Sequence, residues 1–219
     1  MIISHKYKFI FIKSFKTAGT SLEIALSKFC DKDDVITPLI SEDESIRKKL
    51  NYRGPQNYQG MTEHMSAQEI KQKINPEIFH NYLKFVTVRD PFDQIISAYY
   101  WHNESKKKER KLFFFKKREK SFAEFFKIKA KNIYKDEYNR YTDNNVVIVD
   151  KFLKYENLKE DIASLSKRLK LPENLYNALS GIKAKSSARP KNTKTLELGE
   201  DYKIKIRELA KNIILLHNY

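Results

Sequence analysis

The feature that most restricts the fold is the run Tyr7-Lys8-Phe9-Ile10-Phe11-Ile12, rich in aromatic and β-branched residues and followed at once by a small, hydroxyl-rich turn and a helical stripe. The run reads as the first strand. Lys13 to Gly19 read as the turn, and Leu22, Ala25, Leu26 and Phe29 fall at i, i+3, i+4 and i+7, with Thr20 and Ser21 in the helix's first turn. Such a strand, loop, helix unit suits phosphate, because helix N-terminal amides lack intrahelical partners and the helix dipole favours negative charge there. It is not a Walker loop, in which the lysine directly follows the second glycine; here Lys16 precedes Gly19.

A second unit repeats the plan. Leu83 to Val88 reads as a strand running into Arg89-Asp90-Pro91, where Asp90 can cap a helix that has Pro91 at its first position. Phe92, Ile95, Ile96 and Tyr99 carry the helical spacing, which leaves Asp93 and Ser97 together on another face. Ser66 with Glu69 and Ser121 with Glu124 form capping boxes, and Met65 with Ile70 forms a hydrophobic staple that fixes the entry of the residues before them, His64 included.

Between these landmarks, Asp31 to Gly60 read as surface connection with one short helix. Val146 to Val149 read as a short buried strand of a parallel sheet. Leu158, Ile162, Leu165 and Leu169 mark a helix, and a final helix runs from about Asp201 to His217. The alternation predicts an α/β fold: a three-layer sandwich with a central, mostly parallel sheet, helices on both faces and ligands beyond the carboxyl ends of the strands. A length of 219 residues suits a single domain, with a basic excursion or lid at about 103–120. Tyr99, Tyr100 and Trp101 read as core rather than as a stacking platform.

The formal net charge of +15 requires an anionic partner or a solvated basic surface and does not choose between them. Nucleic acid is disfavoured as a partner, since no finger, basic zipper or RNP-type motif accompanies the charge. A single cysteine, Cys30, excludes an intrachain disulfide and suits a reducing compartment. The N-terminal apolar run is interrupted by Lys8 and Lys13, too short for a membrane span, so no transmembrane segment is expected and a cytoplasmic location is. The histidines show no metal-ligand spacing, and no metal is expected.

Lys16-Thr17-Ala18-Gly19-Thr20-Ser21 after an aromatic strand resembles the 5′-phosphosulfate loop of sulfotransferases that use 3′-phosphoadenosine 5′-phosphosulfate (PAPS), with Phe15 in place of the family's usual proline. The resemblance implies a P-loop-like sulfotransferase fold. It gives Lys16 the bridging oxygen and 5′-phosphate, and makes Thr17, Ala18, Gly19, Thr20 and Ser21 a cradle. Arg89-Asp90-Pro91 with Ser97 is similar to the family's 3′-phosphate motif, although Gln94 stands where an arginine is frequent. Tyr155-Glu156-Asn157-Leu158 resembles a framework turn of the carbohydrate branch. The late loop with Ser186, Ser187 and Arg189 resembles the segment covering the nucleotide, which makes Ser187 and Arg189 further nucleotide contacts.

Gly60 to Ala67 resembles the segment that supplies the base, giving His64 as candidate general base and Glu63 as its rival. A positioned base contributes on the order of 10²- to 10⁴-fold. The implied activity is sulfuryl transfer from PAPS, as co-substrate, to a hydroxyl or amine of a carbohydrate, which the basic charge allows to be an acidic glycan. The alternatives are a P-loop-type nucleotide kinase, which would need ATP and Mg²⁺ and lacks the Walker lysine, and a basic nucleic-acid-binding protein.

Overall fold

The structure, a computed structural model, describes residues 1–113, 119–182 and 198–219, with the backbone alone for 107–113. The chain opens not with one strand but with a hairpin, β1 (Ile2–Ser4) and β2 (Phe9–Ile12), antiparallel with Ile3 opposite Ile10. The strand pattern is broken where Asp34 draws the backbone into a turn: its carboxylate accepts the His5 amide at 2.6 Å and the Ser4 hydroxyl at 3.0 Å. A helix α1 (Gly19–Ser27) and a short strand β3 (Val35–Ile36) follow, the latter pairing antiparallel with β1. The remaining N-terminal helices are α2 (Ser41–Lys49), α3 (Ala67–Lys73) and α4 (Pro76–Asn81), of which α3 carries the complete Ser66–Glu69 capping box.

β4 (Leu83–Val88) spans the expected residues and lies parallel to β2, with Phe11 beside Phe85 and Ile12 beside Val86. α5 (Pro91–Phe113) carries the backbone helically into the basic run expected to leave the fold as an excursion. After α6 (Phe122–Asn139), the residues expected to form a buried parallel strand behave otherwise. β5 (Thr142–Asp143) and β6 (Val146–Val147) form a separate antiparallel hairpin, and Val146 is 64% exposed. The cause is local: Asn144 and Asn145 both have positive φ, 50° and 65°, as a two-residue hairpin turn of the primed type requires.

The parallel partner of β4 is instead β7 (Lys151–Lys154), which places Leu153 beside Thr87 and leads directly into a 3₁₀ turn at Tyr155–Asn157. The sheet order is β3-β1-β2-β4-β7. Two of its pairings are antiparallel and two parallel, so the expectation of a mostly parallel sheet holds only for the β2-β4-β7 half. The last helices are α7 (Leu158–Arg168), α8 (Leu175–Ser180), α9 (Glu200–Leu209) and α10 (Lys211–His217); the expected single terminal helix is divided at Ala210.

Two compact units emerge, Met1–Val88 with Asn139–Ala184, and Arg89–Tyr138 with Lys185–Tyr219. The first holds the sheet. Phe9, Phe11, Phe85 and Leu153 on one sheet face pack with Leu22 and Leu26 of α1, Ile162 and Leu165 of α7, and Leu175 of α8. The alternate residues Ile10, Ile12, Val86 and Val88 are buried as well. The second unit is helical, with an aromatic core in which Tyr99 meets Phe122 edge-on at 5.4 Å and Phe125 at 5.7 Å, while Tyr202 packs on Phe122 and Phe126 at 5.1 Å. Tyr99 is half-buried and packs within this aromatic cluster.

Candidate active site

The loop between β2 and α1 is shaped by its backbone. Lys16 and Ala18 are left-handed, with φ of 61° and 64°, a conformation that costs a residue bearing a Cβ about 1–2 kcal/mol. Strain of this kind concentrates at binding and catalytic loops. Ala18 is the N-cap of α1, no side chain caps the helix, and its first turn holds no acidic residue. The Leu22 amide is the one that closes on Ala18, so the amides of Gly19, Thr20 and Ser21 precede the helical ladder. These features fit a phosphate group, which would meet N–H donors and no opposing carboxylate in that turn.

Packing holds the loop in place. A Cβ on Gly19 would lie 2.9 Å from Lys13 Cγ and 3.2 Å from the Ser14 carbonyl oxygen, so glycine is required by the way the loop folds back on β2. The Thr17 and Thr87 hydroxyls share a 2.7 Å hydrogen bond that ties the loop to β4. Thr20 and Ser21 are buried and Lys16 is half-buried.

The histidine segment lies against the root of this loop. Lys13, 1% exposed, forms ion pairs with Glu23 Oε2 at 3.2 Å and with Glu63 Oε2. His64 Nε2 lies 3.8 Å from Glu63 Oε1, and the Lys13 backbone favours the protonated ring. Partial burial and the Lys13 and Arg140 cations pull the His64 pKa down to about 4 against the opposing pull of Glu63. The ring is therefore neutral at physiological pH and able to accept a proton.

At the second motif, the Asp90 carboxylate accepts the Phe92 amide at 2.7 Å, the expected cap. Arg89 is buried, and its guanidinium donates to Asp93 Oδ2 from Nε at 2.8 Å and also from Nη2. Ser97 is half-buried one turn beyond Asp93. Gln94 is fully buried and donates to Glu137 at 3.1 Å. Ser187 and Arg189 lie outside the described residues.

The sequence profile of the sulfotransferase family matches residues 1–214, nearly the whole chain. The chain belongs to the sulfotransferase family. An uncharacterized protein of Archaeoglobus fulgidus is 36% identical to this sulfotransferase over 116 residues, covering 51% of this chain and 87% of its own. No solved structure matches. Membership supports a transferase that moves a sulfuryl group. Among the described residues no helix is long and apolar enough to cross a membrane, and no group of three or more His, Cys, Asp or Glu side chains could hold a metal ion.

Sequence reasoning passed over Lys13 and Glu23. Glu23 is fully buried in α1, where the α-amino group of Met1 at 2.8 Å, Lys13 and Arg47 at 3.6 Å surround it and Thr37 donates to it at 3.2 Å. Burial opposes its charge, but the surrounding cations prevail and hold its carboxyl below the usual range. A charged residue amid an apolar helical stripe was the available signal.

Proposed function

We propose that this sulfotransferase takes its sulfuryl group from PAPS and delivers it to a carbohydrate hydroxyl. The observation that carries the reading is the uncapped, acid-free start of α1 behind a loop bearing Lys16. In the proposed reaction the acceptor oxygen attacks sulfur, a new S–O bond forms, the bond from sulfur to the bridging phosphate oxygen breaks, and adenosine 3′,5′-bisphosphate leaves. Lys16 and the amides of Gly19, Thr20 and Ser21 offset the negative charge that builds on the departing phosphate. Thr17 and Ala18 fix the loop's path around that phosphate. Arg89 and Ser97 hold the 3′-phosphate, with Arg89 giving charge-assisted donors.

His64 accepts the acceptor's proton. Glu63 is the weaker candidate, because its carboxylate is already paired with Lys13. The positive net charge favours an acidic glycan among carbohydrate acceptors.

Calorimetry with adenosine 3′,5′-bisphosphate tests the donor half of this reading. Binding is expected for the wild type, and Arg89→Ala is expected to weaken it by roughly 10- to 100-fold, the value of a charge-assisted contact. Absence of heat with the wild type overturns PAPS as donor. Incorporation of radiolabelled sulfate from PAPS into a panel of neutral and uronic-acid glycans tests the acceptor half, with His64→Ala as the inactive control.

A further inference from the structure

Below the loop runs a set of charges that the transfer step does not itself use. Lys13 has two carboxylates, and they differ. Glu23 is wholly enclosed and held from four sides, so it serves as an anchor. Glu63 is 22% exposed and adjoins His64, so it faces the chemistry. A buried ammonium is expensive unless compensated, and each partner therefore constrains where Lys13 can be. The same lysine contributes its Cγ to the packing under Gly19.

We propose that Lys13 is a positioning residue: anchored by Glu23, it grips Glu63 and thereby holds the Glu63–His64 pair at the root of the phosphate loop, with His64 as the base and Glu63 committed as its partner. One consequence is geometric. A shift of Lys13 would move the loop and the base together. The other is electrostatic, since the charged groups acting on His64 are Lys13, Glu63 and Arg140, and of these Lys13 is the strongest counterweight to Glu63. With Lys13 present the ring stays neutral; without it, Glu63 draws a proton onto the ring. The catalytic part of this inference rests on the sulfuryl-transfer reading, whereas the electrostatic part stands without it.

The test is the titration of the His64 ring by NMR in the full chain, assigned with His64→Gln. In Lys13→Met, which keeps a Cγ beneath Gly19, the midpoint is expected to rise by about 1–3 units. At about pH 4.5 the variant's ring is then mostly protonated while the wild-type ring is mostly neutral. The acid limb of the kcat/KM profile is expected to move up by the same amount, with adenosine 3′,5′-bisphosphate affinity changed less than about threefold, since Lys13 is not a nucleotide ligand.

Glu63→Gln is expected to move the midpoint the opposite way, downward, and Lys13→Arg to restore it to within about half a unit of wild type. These two gentler variants decide the matter if Lys13→Met does not fold. A His64 midpoint unmoved in folded Lys13→Met, or raised in Glu63→Gln, overturns the inference. Failure of the wild type to bind the bisphosphate would overturn the donor assignment and leave the titration result to be read by itself.

Discussion

The two loops proposed to hold phosphate follow neighbouring parallel strands, yet they are built on different length scales. The β2–α1 loop is held by residues far away in sequence: Thr17 by Thr87, and Lys13 by Glu63. The turn after β4 is built over a few residues, with Asp90 capping Phe92 and Arg89 donating to Asp93 one helical turn on. A motif made from adjacent residues takes its shape as soon as its helix forms. A motif made from remote residues takes its shape only when the sheet has closed, and it is correspondingly sensitive to substitutions outside itself.

The largest effect that would sharpen this contrast is catalytic. Lys16→Ala is expected to lower single-turnover sulfuryl transfer by roughly 10²- to 10³-fold, the usual loss when one donor to a developing oxyanion is removed. A loss under tenfold would mean the loop's geometry matters more than its lysine. Next come two substitutions that probe remote support. Thr87→Val leaves the buried Thr17 hydroxyl without its partner, and Gly19→Ala drives a methyl into Lys13 and Ser14; each is expected to cost about 1–3 kcal/mol in urea unfolding. If Thr87→Val is neutral in stability and in nucleotide affinity, the loop does not depend on β4 and the comparison breaks.

The smallest effect belongs to the local turn. Asp93→Asn removes an ion pair whose carboxylate is 33% exposed, and thermal melts are expected to register less than about 1 kcal/mol. Acid adds a further check. The folded-state pKa of His64 is depressed to about 4, below its unfolded value near 6.5. The unfolded chain therefore binds more protons there, and this group lowers stability as pH falls from about 6.5 towards 4. Glu23, also depressed, contributes stability above the ordinary carboxylate range and loses it below. Both act in the same direction, so His64→Gln is expected to flatten only the upper part of the acid decline in melting temperature.

What could be read from the sequence follows the same division. β4, the Asp90–Pro91 helix start, the capping boxes at Ser66 and Ser121 and the α7 stripe are all specified by residues within a few positions of each other, and each appears where expected. The β1–β2 hairpin was hidden because its turn is stabilised by Asp34, some thirty residues on. The Val146 segment misled because an apolar run alone does not distinguish a buried strand from a hairpin arm, and the decisive signal lay in Asn144 and Asn145 before it. His64 as candidate base came from resemblance to the family, and its position against the root of the loop was not foreseen. Nor was the Lys13–Glu23–Glu63 set: the charge of Glu23 within an apolar stripe signals a buried ion, but pairing across ten and fifty positions leaves its partners unnamed.

The sheet-bearing unit is assembled from two separated stretches, with all of Arg89–Tyr138 intervening before β7, α7 and α8 arrive. During synthesis, β4 therefore emerges with one edge paired to β2 and the other open until Lys151–Lys154 leave the ribosome. An open edge of alternating Phe85, Val86 and Val88 is a template for wrong partners. Yield of native protein should accordingly depend on how quickly translation passes through the lysine-rich interval, a liability that belongs to the order of the segments and not to any contact in the finished molecule.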